Sequence, residues 1–147
     1  MKIVIASDHG GFELKRNLIE WFKEQDREIE DLGNHVFDSE DDYPDFADKL
    51  AKAISMGEAD KGILICGSGV GACITANKSK GVRACVCHDT YSAHQGVEHD
   101  NMSVLCLGAR IVGIELAKEL ISSFLNAKFI DEGRFRRRFD KLNKIDN

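Results

Sequence analysis

Cys66 closes a run of three apolar residues, Ile63, Leu64 and Ile65, and opens a loop with glycines at 67, 69 and 71. A helix-compatible run, 72–77, follows. The pattern reads as a buried parallel strand, a tight loop and a helix start. Glycines at such a turn let the backbone approach a ligand closely. The unpaired amides of a helix start, with the positive end of its dipole, favour a bound anion or a developing oxyanion. The same surroundings favour the thiolate form of a nearby cysteine. Cys66 is therefore a candidate base or nucleophile. Against this stands the ordinary role of cysteine as a small buried residue.

The elements that must position this stretch alternate along the chain. Strands are expected at 2–7, 28–32, 62–66, 81–87 and 103–108, and helices at 12–23, 45–56, 72–77, 90–98, 111–125 and 134–145. The one proline, Pro44, sits just ahead of the second helix, where it pre-sets a first turn. Five β-α units imply a parallel sheet with helices on both faces, whose ligands bind beyond the carboxyl ends of the strands. Polar groups gather there. Asp8 and His9 follow the first strand, Cys66 and its glycines the third, His88 and Asp89 the fourth, and Arg110 the fifth. Each alone fits a loop cap or a surface group; it is their concentration that points to a site. Tyr43 and His99 could reach the same rim.

At 147 residues, 43% hydrophobic and 31% charged, the chain suits a single globular domain, 1–147. A net charge of -5 argues against general nucleic-acid binding. Residues 134–147 nevertheless carry six Arg/Lys and two Asp, a local charge of +4 that suggests a specific anion site or a solvated helix face. No run approaches a membrane span, and the short apolar start does not read as a signal peptide. Five cysteines without zinc spacing suggest reduced thiols in the cytoplasm. Cys73, Cys85, Cys87 and Cys106 are expected to be inert, since their neighbours look like core.

Several site types are excluded. Gly71 is followed by Ala72 and Cys73, not by the Lys-Ser/Thr of a phosphate-binding Walker loop. The arginine of a cysteine-phosphatase loop would fall at Ala72. The glycine spacing is not that of a dinucleotide fingerprint, and it follows the third strand rather than the first. No convergent metal set is visible beyond Asp8-His9.

Ser7-Asp8-His9-Gly10-Gly11, Asp42-Tyr43-Pro44, the stretch from Gly62 to Gly71, Ala76-Asn77-Lys78, and Gly133-Arg134 with Arg138 resemble the type B ribose-5-phosphate isomerases. That group includes the galactose-6-phosphate and allose-6-phosphate isomerases. The resemblance spans nearly the whole chain, and its most specific part is the Cys-Gly-Ser-Gly-Val-Gly loop combined with Asp-His-Gly-Gly. It implies a Rossmann-like three-layer α/β sandwich with a five-stranded parallel sheet. It also implies a homodimer or larger assembly with shared active sites, a C-terminal helix used in dimerisation, and no metal or other cofactor. The implied reaction is aldose–ketose isomerisation of ribose 5-phosphate through a cis-enediolate. The alternatives are a 6-phosphate hexose isomerase and a non-catalytic sugar-phosphate or nucleotide-binding module.

By the same resemblance Cys66 is the base and His99 opens the sugar ring. Gly67, Gly69, Val70 and Gly71 offer amides to the enediolate, with the Ser68 hydroxyl beside them. Asp8, His9 and Tyr43 hold hydroxyls or the phosphate end, and Asn77 supports the loop. Arg110, Arg134 and Arg138 clamp the phosphate. His99, Arg110 and the tail are expected to reach a neighbour's site, away from their own chain's Cys66. Three positions depart from the family pattern. Asp100 follows His99 where Asn is common, Phe135 replaces a frequent histidine, and Ala72 stands where some members carry a glutamate base, which leaves Cys66 as the candidate.

Overall fold

The computed structural model describes residues 1–145; Asp146 and Asn147, the end of the expected 1–147 domain, lie outside the described residues. Five strands, β1 (Ile3–Ser7), β2 (Glu30–Asp31), β3 (Lys61–Cys66), β4 (Ala84–Val86) and β5 (Val104–Gly108), form one parallel sheet in the order β2-β1-β3-β5-β4. Six helices join and cover them: α1 (Phe12–Glu24), α2 (Tyr43–Ser55), α3 (Val70–Ala76), α4 (Thr90–Asp100), α5 (Ile114–Asn126) and α6 (Gly133–Ile145). The expected three-layer sandwich is present.

Alternation along the strands decides the layering. Ile3, Ile5, Ile63, Ile65, Leu105 and Leu107 face one way and pack under α1, α4 and α5. Val4, Ala6, Leu64, Cys66, Val104 and Cys106 face the other way and pack under α2 and α3. Both faces are covered, so the central strands are apolar throughout, as buried parallel strands must be. Each fully buried Leu or Ile side chain contributes about 1.5–3 kcal/mol.

Boundaries differ from the sequence expectation where turns cut in. β2 shrinks to two residues, but its chain stays beside β1: Leu32 donates to Ile5 O at 2.9 Å, Ser7 to Gly33 O at 2.8 Å and Asn34 to Ser7 O at 2.8 Å. The Gly33-Asn34 peptide is cis. β4 is short because the chain turns at Ser79–Val82, where Val82 N–H donates to Ser79 O. α5 starts at Ile114 rather than 111, since Ile111 and Val112 N–H groups both turn back onto Gly108 O.

The tail helix was the element expected to seek a partner. Half of its apolar stripe is satisfied on its own chain. Phe135 stacks on His99 with ring centroids 4.5 Å apart, and Phe139 meets Phe129 at 5.1 Å. Leu142 and Ile145 remain exposed, Ile145 at 78%.

Candidate active site

The order of strands fixes where a site can form. The chain leaves β1 for β2 through α1 on one face, and reaches β3 through α2 on the other. The connections therefore diverge between β1 and β3, at the crevice where sheets of this kind bind ligands. The loops after these two strands meet there: a Cβ on Gly10 would stand 3.1 Å from the Gly67 nitrogen. The cleft has a volume of about 340 Å³ and is lined by Asp8, Tyr43, Cys66, Gly67, Ser68, Gly71, Arg110 and Ile111.

Cys66 is buried at the end of β3, and the Gly69 N–H donates to its sulfur at 3.1 Å. Gly69 holds φ +83, and a Cβ there would press on the Leu107 carbonyl carbon at 3.0 Å. Both the left-handed turn and the close approach require glycine. Val70 begins α3, its N–H donating to the Ser68 Oγ at 3.3 Å. The Tyr43 ring lies against Gly71, where a Cβ would come within 2.6 Å of it. Opposite, Ala109 and Arg110 donate N–H groups to the Cys66 and Gly67 carbonyls at 2.9 and 3.0 Å. This tie holds the glycine loop to the end of β5. A Cβ on Gly108 would fall 2.7 Å from the Ser68 carbonyl group, which is backbone and cannot swing aside. Gly108→Ala is expected to cost about 1–3 kcal/mol of stability in urea denaturation, with a larger proportional loss of kcat/KM as the loop shifts. Unchanged stability and activity would show the loop free to move.

Asp8 caps the short turn after β1, accepting the Gly10 N–H at 3.0 Å. Burial pushes its carboxyl above the usual range, and the Asp41 charge adds to this while His9 opposes it. His9 comes next, its Nδ1 2.6 Å from Asp41 Oδ1. That hydrogen bond lifts the imidazole above its ordinary value, against a smaller effect of burial. A histidine raised in the fold stabilises it fully below its unfolded pKa, and the contribution disappears as pH rises through the folded one. Asp8, His9 and Asp41 bring donor atoms within 4.8 Å of one another. The 2.6 Å His9–Asp41 contact is a hydrogen bond, shorter than the spacing of two atoms sharing one metal ion.

Other expected site residues fall elsewhere in this chain. His99 sits in the last turn of α4, at the opposite end of the sheet from Cys66. Its Nδ1 accepts the Gln95 amide at 2.7 Å, which leaves the ring proton on Nε2. Asp100 follows it, beside a groove that Arg83, Met102 and Leu142 also line. Arg134 and Arg138 are exposed on α6. Arg110 was expected to accompany His99, yet its side chain lines the cleft of its own Cys66. Asn77 was expected to support the glycine loop. It clamps β4 instead, its amide donating to Ala84 O at 2.9 Å and its carbonyl accepting Ala84 N–H at 2.8 Å. His88, at a strand end, accepts the Gly108 N–H on Nε2 at 3.0 Å and is engaged in structure.

The other cysteines do not share one environment. Cys85 is exposed, and a hydrogen bond from the Cys87 thiol lowers its pKa to about 6. A hydrogen bond from the buried Cys106 lowers Cys73 to about 7. The expectation of inertness weighed apolar neighbours and not exposure or thiol–thiol contacts, which only the fold creates. Sequence reasoning also missed Asp41, Asn34 and Lys15. Lys15 is 2% exposed on α1, with its amine 2.7 Å from Asp31 Oδ1 and 2.6 Å from Asn34 O. A lysine among the apolar positions of an amphipathic helix was the available signal.

Fold and cleft together define a doubly wound α/β protein with a thiol, backbone amides, a carboxylate and a guanidinium converging at its switch point. The chain matches the ribose/galactose isomerase family over residues 3–142 and belongs to it. It is 42% identical to ribose-5-phosphate isomerase B of Escherichia coli, over 99% of this chain and 96% of that one. It is 43% identical to D-erythrulose-4-phosphate isomerase 2 of Mycolicibacterium smegmatis, over 88% and 86%. The crystal structure of ribose-5-phosphate isomerase B from Mycoplasma genitalium, with bound ribulose-5-phosphate, superposes with a TM-score of 0.91 at 43% identity, covering 98% of this chain and 95% of that one.

Proposed function

We propose that the protein is an aldose–ketose isomerase that interconverts ribose 5-phosphate and ribulose 5-phosphate. The observation that carries this reading is Cys66 at the β1/β3 switch point, with the Gly69 N–H on its sulfur and Asp8 and Arg110 across the cleft. The family and the ribulose-5-phosphate bound to the Mycoplasma relative support it over a nucleotide-binding module. In this reading the Cys66 thiolate takes the C2 proton of the open-chain aldose and returns it to C1, while the O2 hydroxyl proton passes to O1 in the enediolate. Amides of the loop from Gly67 to Gly71 and the Ser68 hydroxyl hold the enediolate oxygens. Asp8, His9 and Tyr43 bind hydroxyls or the phosphate end. Arg110 supplies a forked cation in the same cleft.

His99, Arg134 and Arg138 complete the site from a second copy of the chain, with Asp100 beside His99, so the working unit is a homodimer or a dimer of dimers. The place we assign it is the pentose phosphate pathway, in the cytoplasm. Among the described residues no helix is long and apolar enough to cross a membrane. The test is a panel of aldose phosphates of four to six carbons, assayed with and without chelator. Ribose 5-phosphate is expected to give the highest kcat/KM, unaffected by chelator. A tetrose or hexose phosphate turned over faster would reassign the substrate, and no turnover on any would overturn the reading.

A further inference from the structure

Asp41 belongs to none of the motifs that define the family resemblance, yet both of its oxygens are engaged beside the cleft. Oδ1 lies 3.0 Å from the His9 backbone nitrogen and 2.6 Å from His9 Nδ1, and Oδ2 accepts the Asn34 amide at 2.8 Å. Asn34 is itself held. Its Oδ1 accepts the Ser7 hydroxyl at 3.3 Å, its N–H donates to Ser7 O, and its carbonyl accepts the buried Lys15 amine at 2.6 Å. A chain of contacts thus runs from the core through Asn34 and Asp41 to His9. The Asp41 side chain is 9% exposed, and the His9 side chain 38%.

The geometry settles how His9 can act. A carboxylate only accepts, so Nδ1 carries a proton in either charge state of the ring. Nε2 makes no hydrogen bond among the described residues and is the nitrogen left for a ligand. We propose that Asp41 is a positioning residue for substrate binding, holding His9 by Nδ1 so that Nε2 is presented to a phosphate oxygen of the sugar phosphate. This rests on the isomerase reading above. The charges that act on His9 are carboxylates from three places: Asp8 beside it, Asp41, and Asp38 in the same approach to α2. The Phe37 ring packs edge-on at 6.4 Å. All three carboxylates favour the imidazolium, in which Nε2–H donates to a dianion; Asp41 alone also fixes the orientation.

Nitrogen-15 histidine spectra separate the two parts of the proposal. In the wild type, the neutral His9 ring is expected to carry its proton on Nδ1; a ring protonated on Nε2 would overturn the assignment without any variant. In Asp41→Asn the His9 titration is expected at lower pH. KM for ribose 5-phosphate at pH 7.5 should rise about fivefold with kcat within about twofold, the loss of one charge-assisted contact. Asp41→Glu should recover most of the KM. A kcat that falls while KM holds, or a His9 titration that does not move, would overturn the role. If the wild type turns over no sugar phosphate, the isomerase reading fails separately. Inorganic phosphate, followed through the His9 resonances, then decides the case: weaker binding in Asp41→Asn upholds the role, and equal binding overturns it.

Discussion

Cys66→Ser is expected to lower kcat by about 10²–10⁴-fold on ribose 5-phosphate, the range that a positioned base supplies. An alcohol is a far weaker base than a thiolate at neutral pH, so the proton between C1 and C2 has no acceptor. The fold should persist. Serine is close to isosteric, and its oxygen can keep the Gly69 N–H that now donates to the sulfur at 3.1 Å. Circular dichroism and the urea midpoint should be near those of the wild type, which separates lost chemistry from lost structure. Alkylation gives a second measurement, but the fold complicates it. Iodoacetamide will also reach Cys85, which is exposed and whose pKa is lowered to about 6. Cys73, half-buried with its pKa lowered to about 7, is a second competing thiol, so the experiment belongs in a background with both Cys73 and Cys85 replaced by serine. There, inactivation should follow modification of Cys66, and a bound substrate analogue should slow it. A Cys66→Ser enzyme with near-normal kcat would move the base to another group.

Much of this site can be read in the sequence because its parts are local. The strand, the glycines and the start of α3 are contiguous, so their spacing carries the turn, and the φ of +83 at Gly69 confirms what the glycines imply. Asp8 follows directly on β1, and the parallel architecture places it beside Cys66. What could not be read depends on pairings across the chain. Asp41 lies in a polar loop rich in Asp and Glu, and nothing in its neighbours distinguishes it from Asp38 or Asp42; the contact with His9 exists only once β1 and the approach to α2 are packed together. Asn77 illustrates the converse. The family resemblance implied loop support, while the short β4, two hydrogen bonds away at Ala84, claims it instead. The strand order is likewise hidden, because β5 inserts between β3 and β4. That insertion brings Gly108 and Arg110 to the Cys66 loop rather than leaving them at the sheet edge.

Mixed dimers of Cys66→Ala and His99→Ala chains are expected to recover activity that neither parent has. The argument begins with distance. Cys66 pairs with Gly108, at the carboxyl end of β5. His99 lies five residues before the start of β5, in the last turn of α4. A five-residue strand separates the two ends, about 16 Å at 3.3 Å per residue. The His99 ring is moreover fixed on its own chain, between Gln95 and Phe135. One chain therefore cannot bring His99 to its own Cys66 without dismantling α4. If both serve one site, that site is shared between copies, and a two-fold axis makes two such sites per dimer. The exposed Leu142 and Ile145 on α6 leave apolar surface for a second copy to cover. Unfolded together and refolded, the two variants should pair at random. About half of the dimers are then hybrids, each with one site holding both an intact Cys66 and an intact His99, which gives about a quarter of wild-type activity for a two-fold dimer. Phe135→Ala serves as the companion variant, since freeing the His99 ring should lower kcat while leaving thiol alkylation at Cys66 unchanged. If the refolded mixture stayed as inactive as its parents, His99 and Cys66 would not meet across a dimer, and ring opening would fall to a group within the cleft of a single chain.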